Sequence, residues 1–99
     1  MAEHAVVVNV SRYVAVPGKR DELAAAMKRM AERAAGEAAC FGAQTCTSNR
    51  DQEPLVAVSR WRSLAALQEF HQTAASIAER EHLSALLSAP AEHENLAPL

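Results

Sequence analysis

The chain is poor in the residues that build several common functional classes. It has two cysteines, three glycines and four prolines in 99 positions, and aromatic residues make up only 4%. Cys40 and Cys46 make neither a disulfide framework nor a metal knuckle. They read as small semi-apolar fillers on one strand, of the same parity and so on the same face. Positive charge is not in excess: 10 Lys and Arg face 12 Asp and Glu, for a formal charge of -2. That balance argues against a nucleic-acid partner and against an anionic membrane surface. No apolar run is long enough for a membrane anchor, and the opening MAEHAVVVNV carries Glu3 too early for a signal peptide. With no export signal, a reducing cytoplasm is the expectation. There is no GxGxxG, no phosphate loop and no G-x-S-x-G elbow. Neither a repeat nor a linker divides the chain, and residues 1–99 hold one domain.

What is present is alanine. Hydrophobic residues are 49% of the chain, but 22 of them are Ala, leaving 27 larger side chains to build a core. So thin a supply makes burial against a second copy attractive, and a homo-oligomer is expected.

The hydrophobic pattern gives the element order. From His4 to Val16, Val6, Val8, Val10, Val14 and Val16 share one face, with Arg12 among them; Val7, Asn9, Ser11, Tyr13 and Ala15 share the other. This is a strand, ended by Pro17-Gly18. Residues 19–39 are dense in helix formers, with Leu23, Met27, Met30 and Ala34 forming one stripe and Asp21 and Glu22 in the first turn. Gly36 weakens the end of this helix. Cys40–Ser48 and Leu55–Trp61 read as two strands of a hairpin around the polar loop NRDQEP, with Phe41, Ala43, Thr45 and Thr47 on one side. Ser63 caps a helix whose inward positions are Leu64, Leu67, Phe70 or His71, and Ala74. A second helix, Ser76 to Ser88, turns Ile77, Leu83, Leu86 and Leu87 inward before Pro90. The tail AEHENLAPL is either a last strand or an arm reaching a neighbour. This order is the α+β, ferredoxin-like split βαβ plan, an antiparallel sheet with helices on one face.

The stretch Val58–Thr73, VSRWRSLAALQEFHQT, is a strand ending in Trp, a Ser-capped helix, and an aromatic plus His further on. It resembles the antibiotic biosynthesis monooxygenase (ABM) family. YVAVPGKRDEL is similar to that family's first strand, turn and helix start, and GEAACFGAQTCTSNRDQEPLVAVSRW to its hairpin region; with the ALLSAPAEHENLAPL tail the likeness spans nearly the whole chain. Trp61, Ser63, Ala65, Leu67, Gln72 and Thr73 carry the likeness to the small quinol monooxygenases.

The resemblance implies a homodimeric α+β barrel with an apolar pocket in each subunit between sheet and helices. It implies a monooxygenase that oxidises a small reduced aromatic compound, hydroquinone- or anthrone-like, with O₂ and with neither metal nor flavin. Such substrates are electron-rich as anions, so a site that desolvates the ring and favours the anion beside O₂ is sufficient. The chain also departs from its relatives. Ala57 stands where polyketide-tailoring members have an Asn, and Phe70 stands where haem-degrading members have a second Trp and quinol-type relatives a His. Ser11 aligns with the first-strand Asn of the haem proteins, and Arg80 with their iron ligand, with His82 two residues away. A non-catalytic dimer binding an apolar metabolite is the alternative, and haem degradation a more distant one.

On this reading His71 is the candidate catalytic residue, since its unperturbed pKa near about 6.5 suits a base or hydrogen bonder to a phenol; otherwise it is a half-buried His bonded to backbone. Asn9, Ser11, Tyr13, Trp61 and Phe70 are the candidate substrate-binding residues. The alternatives are that Trp61 merely plugs the core and that the Asn9–Tyr13 face is solvated or meets a partner. Glu81-His82 and His93-Glu94 are adjacent pairs whose side chains diverge, so neither makes a metal site alone and no metal is expected; that no cofactor is needed is what the resemblance implies. Arg12 needs an acidic partner if buried, with Glu3 and Glu94 as candidates across a dimer.

Overall fold

The computed structural model describes residues 6–99. Seven elements follow in the order β1 (Val7–Tyr13), α1 (Arg20–Ala35), β2 (Cys40–Thr47), β3 (Leu55–Trp61), α2 (Leu64–His71), α3 (Ala74–Ser84) and β4 (Glu92–Leu96). The strands form one sheet in the order β2-β3-β1-β4, with every neighbouring pair antiparallel. This is the α+β, ferredoxin-like arrangement that the sequence pattern predicts. No helix among the described residues is long and apolar enough to cross a membrane.

β1 is shorter than the valine pattern. Its pairing ends at Tyr13, and Ala15 makes only an isolated bridge to Leu87; the predicted start at His4 and Ala5 lies outside the described residues. The turn that follows is closed by Lys19 N–H donating to Val16 O at 3.0 Å, with Gly18 at φ 85°. Only glycine takes that conformation without strain, and Pro17 presets the residue before it. α1 stops at Ala35 rather than Ala39, because Gly36 at the C-cap interrupts the propensity of the flanking alanines. Its stripe lands as the spacing requires: Leu23, Met27 and Ala34 are buried and Met30 partly so. Complete burial of Leu23 contributes about 1.5–3 kcal/mol.

Two expectations fail at β2 for a single reason. The pairing with β3 shifts between Cys40, opposite Trp61, and Gly42, opposite Arg60, so Phe41 is an extra residue in a bulge. A bulge reverses the alternation beyond it. Phe41 is therefore 55% exposed instead of sharing a side with Ala43. Cys40 lies on the Trp61 face and Cys46, opposite Val56, on the other, so the two cysteines do not share a face.

The last helices also begin and end differently from the pattern. Ser63 Oγ accepts from Ala66 N–H at 3.1 Å and Thr73 Oγ1 from Ser76 N–H at 3.2 Å. The second cap starts α3 at Ala74, so Ala74 belongs to α3 and not to the preceding helix. The rotation this imposes leaves Ile77 exposed; Leu64, at the first position of α2, is exposed too, while Leu67, Phe70, Leu83 and Leu86 are buried. The tail resolves as β4, an edge strand on β1. Arg12 is exposed and sits opposite Glu92, whereas Glu94 pairs in register with Val10; Glu3 lies outside the described residues.

The helices cover the sheet face that carries Asn9, Ser11 and Tyr13, together with Leu55 and Trp61. Val8, Val10, Val56 and Val58 lie on the uncovered face and are only partly buried. Under the helices the core divides into two clusters. One is built on Tyr13, Leu23, Met27, Leu55, Leu83 and Leu86, the other on Ala34, Trp61, Leu67 and Phe70.

The α2–α3 corner depends on its cap. Thr73→Ala is expected to lower stability by about 1 kcal/mol, and Thr73→Ser to retain most of it. Urea denaturation of the two variants checks this, and equal midpoints for Thr73→Ala and the parent would refute it.

Candidate active site

Between the two core clusters lies a partly open cavity of about 350 Å³, within the size range of small-molecule sites. It exists because the chain is short of large side chains there. The sheet floor offers Ala43, Ala57 and Ser59, and α1 contributes Ala31 and Ala34. Residues of this size leave unfilled the space that a leucine or phenylalanine would take. The six residues predicted for a site, Asn9, Ser11, Tyr13, Trp61, Phe70 and His71, all line this one cavity, as does Ala57.

One end is aromatic and apolar. Trp61 is 1% exposed, and its Nε1 donates to Ser59 Oγ at 2.9 Å, which satisfies the indole within its own strand. Its ring lies 5.0 Å from that of Phe70, tilted by 40°. Met27, Met30 and Leu67 complete this wall. Phe70 is held from several sides. The Arg33 guanidinium sits 4.5 Å from its ring centroid, a favourable cation–π placement. Its carbonyl accepts from Ser76 Oγ at 2.6 Å and from Thr73 Oγ1 at 2.9 Å. Arg33 in turn donates to Ser76 Oγ at 2.6 Å and pairs with Glu79 at 2.6 Å. One arginine from α1 thus ties the start of α3 to the ring that ends α2.

The other end is polar. β1 and β4 face each other through two side-chain pairs, Asn9 Nδ2 to Asn95 Oδ1 at 2.7 Å and Ser11 Oγ with His93 Nδ1 at 2.8 Å. The Tyr13 ring meets His93 edge-on at 6.1 Å. Burial raises the Tyr13 pKa above its ordinary value, against the lowering effects of the Ser11 hydroxyl and the Arg80 charge. Tyr13 is therefore a neutral phenol at physiological pH.

His71 closes α2 and is half-buried at this end. Arg80 Nη1 donates to the His71 carbonyl at 2.7 Å and lies 3.4 Å from its Nδ1. A guanidinium only donates, so Nδ1 is the accepting nitrogen and the neutral ring carries its hydrogen on Nε2. Burial first, then the charges of Arg80, His93 and Arg33, push the His71 pKa below 6.5. A neutral ring with its hydrogen on Nε2 serves as a hydrogen-bond donor more readily than as a base.

The sequence pattern missed His93, Asn95 and Arg80, all of which line the cavity. The signal for the first two was the alternation in EHENL, which sets His93 and Asn95 on one face and Glu92 and Glu94 on the other. Reading His93-Glu94 as an adjacent pair hid it. His82 does not reach this cavity; it lines a smaller groove of about 200 Å³ between α1 and α3. On the main cavity α3 presents Arg80.

No curated protein matches the chain. Among solved structures, Rv0793 from Mycobacterium tuberculosis is 27% identical and superposes with a TM-score of 0.87 over 96% of each chain. A conserved protein from Methanosarcina mazei is 17% identical, with a TM-score of 0.86 over 94% of this chain and 92% of its own. A structure described as an antibiotic biosynthesis monooxygenase is 14% identical, with a TM-score of 0.83 over 94% of this chain and 98% of its own; at such identity these last two show the fold. The family model described as antibiotic biosynthesis monooxygenase matches residues 5–84, which takes in β1, the Trp61 strand and the helices above the cavity. On that match, most of its length, the chain belongs to the antibiotic biosynthesis monooxygenase family.

Proposed function

We propose that the protein is a cofactor-independent monooxygenase that oxidises a small reduced aromatic compound, hydroquinone- or anthrone-like, with O₂. The observation that carries this reading is a single cavity with Trp61 and Phe70 at one end and Tyr13, His71 and Arg80 at the other. A flat ring is desolvated against the aromatic wall, and its oxygen reaches the donors. The His71 Nε2–H and the Arg80 guanidinium stabilise the oxyanion, which makes the ring a stronger electron donor. The anion passes one electron to O₂, the two radicals combine at a ring carbon, and the peroxide loses water. For an anthrone the balance is one CH₂ plus O₂ giving one C=O plus H₂O. Asn9 and Ser11, with their β4 partners, orient the polar edge of the substrate, and water is excluded by the apolar wall.

The reading includes a homodimer built on the uncovered sheet face. Val8, Val10, Val56 and Val58, with Arg60 opposite Val8 and Arg12 opposite Val56, form an apolar strip flanked by charge on that face, which this chain alone leaves partly open; pairing two such faces buries the valines.

Three measurements test these statements. O₂ uptake with a panel of hydroquinones and anthrones is expected to exceed the uncatalysed rate, and His71→Ala to lower kcat by about 10- to 100-fold. A panel without enzyme-dependent uptake would favour a binding-only role for the same cavity. The His71 ring, followed by NMR, is expected to titrate below 6.5. Because its folded pKa is depressed, the unfolded chain binds the extra proton first, so this contribution to stability is complete above pH 6.5 and declines as pH falls through the folded value. A midpoint at or above 6.5 would contradict the donor role. Light scattering is expected to give about twice 10.7 kDa, and Val58→Arg to return the mass to that of one chain.

A further inference from the structure

The polar end of the cavity joins a buried hydroxyl to an exposed imidazole. Ser11 is 4% exposed and lines the cavity, its Oγ lies 2.8 Å from His93 Nδ1, and His93 is exposed on the edge strand β4. We propose that Ser11 and His93 form a proton-accepting dyad for a hydroxyl-bearing aromatic ligand, in which Ser11 touches the hydroxyl and His93 receives the proton and passes it to solvent. This rests on the reading of the cavity as an oxidising site and adds the group that ionises the substrate.

The alternative base is already occupied. His71 Nδ1 faces the Arg80 guanidinium, which leaves the ring a donor. His93 has the opposite surroundings: its Nδ1 meets a hydroxyl, and the rest of the ring reaches water, where an added proton is solvated. The titratable and charged groups around it are Tyr13 from β1, edge-on at 6.1 Å, His71 from α2, and Arg80 from α3, which lines the same end of the cavity. Glu92 and Glu94 flank it on its own strand but alternate to the other face. The Asn9–Asn95 bond, two residues along both strands, fixes the register that keeps His93 opposite Ser11. β4 lies beyond residues 5–84 that match the family, so the family likeness does not assign His93 a role.

The step conserves atoms and charge. The substrate O–H bond breaks, its hydrogen joins Ser11 Oγ, and the hydrogen of Ser11 moves to His93 Nδ1. The electron pair of the broken bond stays on the substrate oxygen, beside the positive charge of Arg80. The imidazolium then releases a proton to water. No electron is transferred until O₂ reacts with the anion.

The test uses 4-nitrophenol, colourless as the phenol and yellow as the phenolate, added to the full chain at a fixed pH below the phenol's own pKa. Binding is measured separately by equilibrium dialysis. The bound probe is expected to be largely ionised. Ser11→Ala and His93→Gln are expected to bind it within about threefold of the parent, with at least a tenfold smaller ionised fraction. In turnover, both variants should lose about 100-fold in kcat with KM little changed. A bound probe that stays protonated on the parent, or is ionised equally by His93→Gln, overturns the dyad. If the probe is ionised but no substrate takes up O₂, the oxidation reading fails and the dyad stands. If O₂ uptake persists unchanged in His93→Gln, the dyad fails and the oxidation reading stands.

Discussion

The register of β1 decides which of its two rows lies beneath the helices, and the cavity depends on that choice. With Ser11 opposite Ala57 and His93, the row Asn9, Ser11 and Tyr13 faces inward. A slip by one residue would turn Val8 and Val10 under the helices and send the polar row to the other face. By apolar content alone the valine row is the better candidate for burial. What makes the observed choice tolerable is that the inward polar groups have partners: Asn95 for Asn9, His93 for Ser11, and Ser59 for the Trp61 indole. A polar group buried without a hydrogen bond costs about 1–3 kcal/mol, so β4 stabilises β1 by giving the buried Ser11 its partner as well as by its ladder. One exception is Thr45, whose Oγ1 is buried on the floor strand without a partner among the described residues.

The roof of the cavity is held by polar contacts as much as by packing. Phe70 and His71 are the last two residues of α2, where a helix leaves carbonyls unpaired. Those carbonyls are taken up by side chains of the next helix and its cap: Thr73 and Ser76 donate to Phe70 O, and Arg80 to His71 O. The groups that finish the helix therefore also set the two rings that line the cavity. Arg33 extends the arrangement to α1 through Ser76, Glu79 and the Phe70 ring. At His71, burial first and then the charges of Arg80, His93 and Arg33 oppose protonation, so this network adds to what burial does.

Most of the fold was legible because it rests on local periodicity. The stripe of α1, the alternation in β1 and β3, the Pro17-Gly18 turn and the Ser63 cap are each written in a few neighbouring residues. What was not legible depends on pairing between distant segments. Nothing local marks Phe41 as the extra residue of a bulge, yet that residue puts the two cysteines on opposite faces of the sheet. Nothing local decides between Thr73 and Ser76 as the cap, and a helix start at Ala74 instead of Ser76 leaves Ile77 exposed. For the site, the first-strand row could be named from its alternation, and the Trp61–His71 stretch through its resemblance to the family. His93 and Asn95 required knowing that the last strand returns beside the first, 82 residues from Ser11 in the case of His93.

The two faces of the sheet divide the work in a way that accounts for the composition. A chain with 22 alanines fills space poorly, and on the helix side that shortage becomes the cavity, with Ala43, Ala57, Ala31 and Ala34 at its surface. An open cavity contributes little to stability, because its lining lacks packing partners on one side. The compensating apolar surface is on the opposite face, where the valines of β1 and β3 form a strip suited to a second sheet. Filling the helix side with larger residues would stabilise the isolated chain but remove the space for a ligand. Keeping the hollow therefore leaves the helix side less fully packed, and the cavity and the half-open valine face both follow from one scarcity of large side chains.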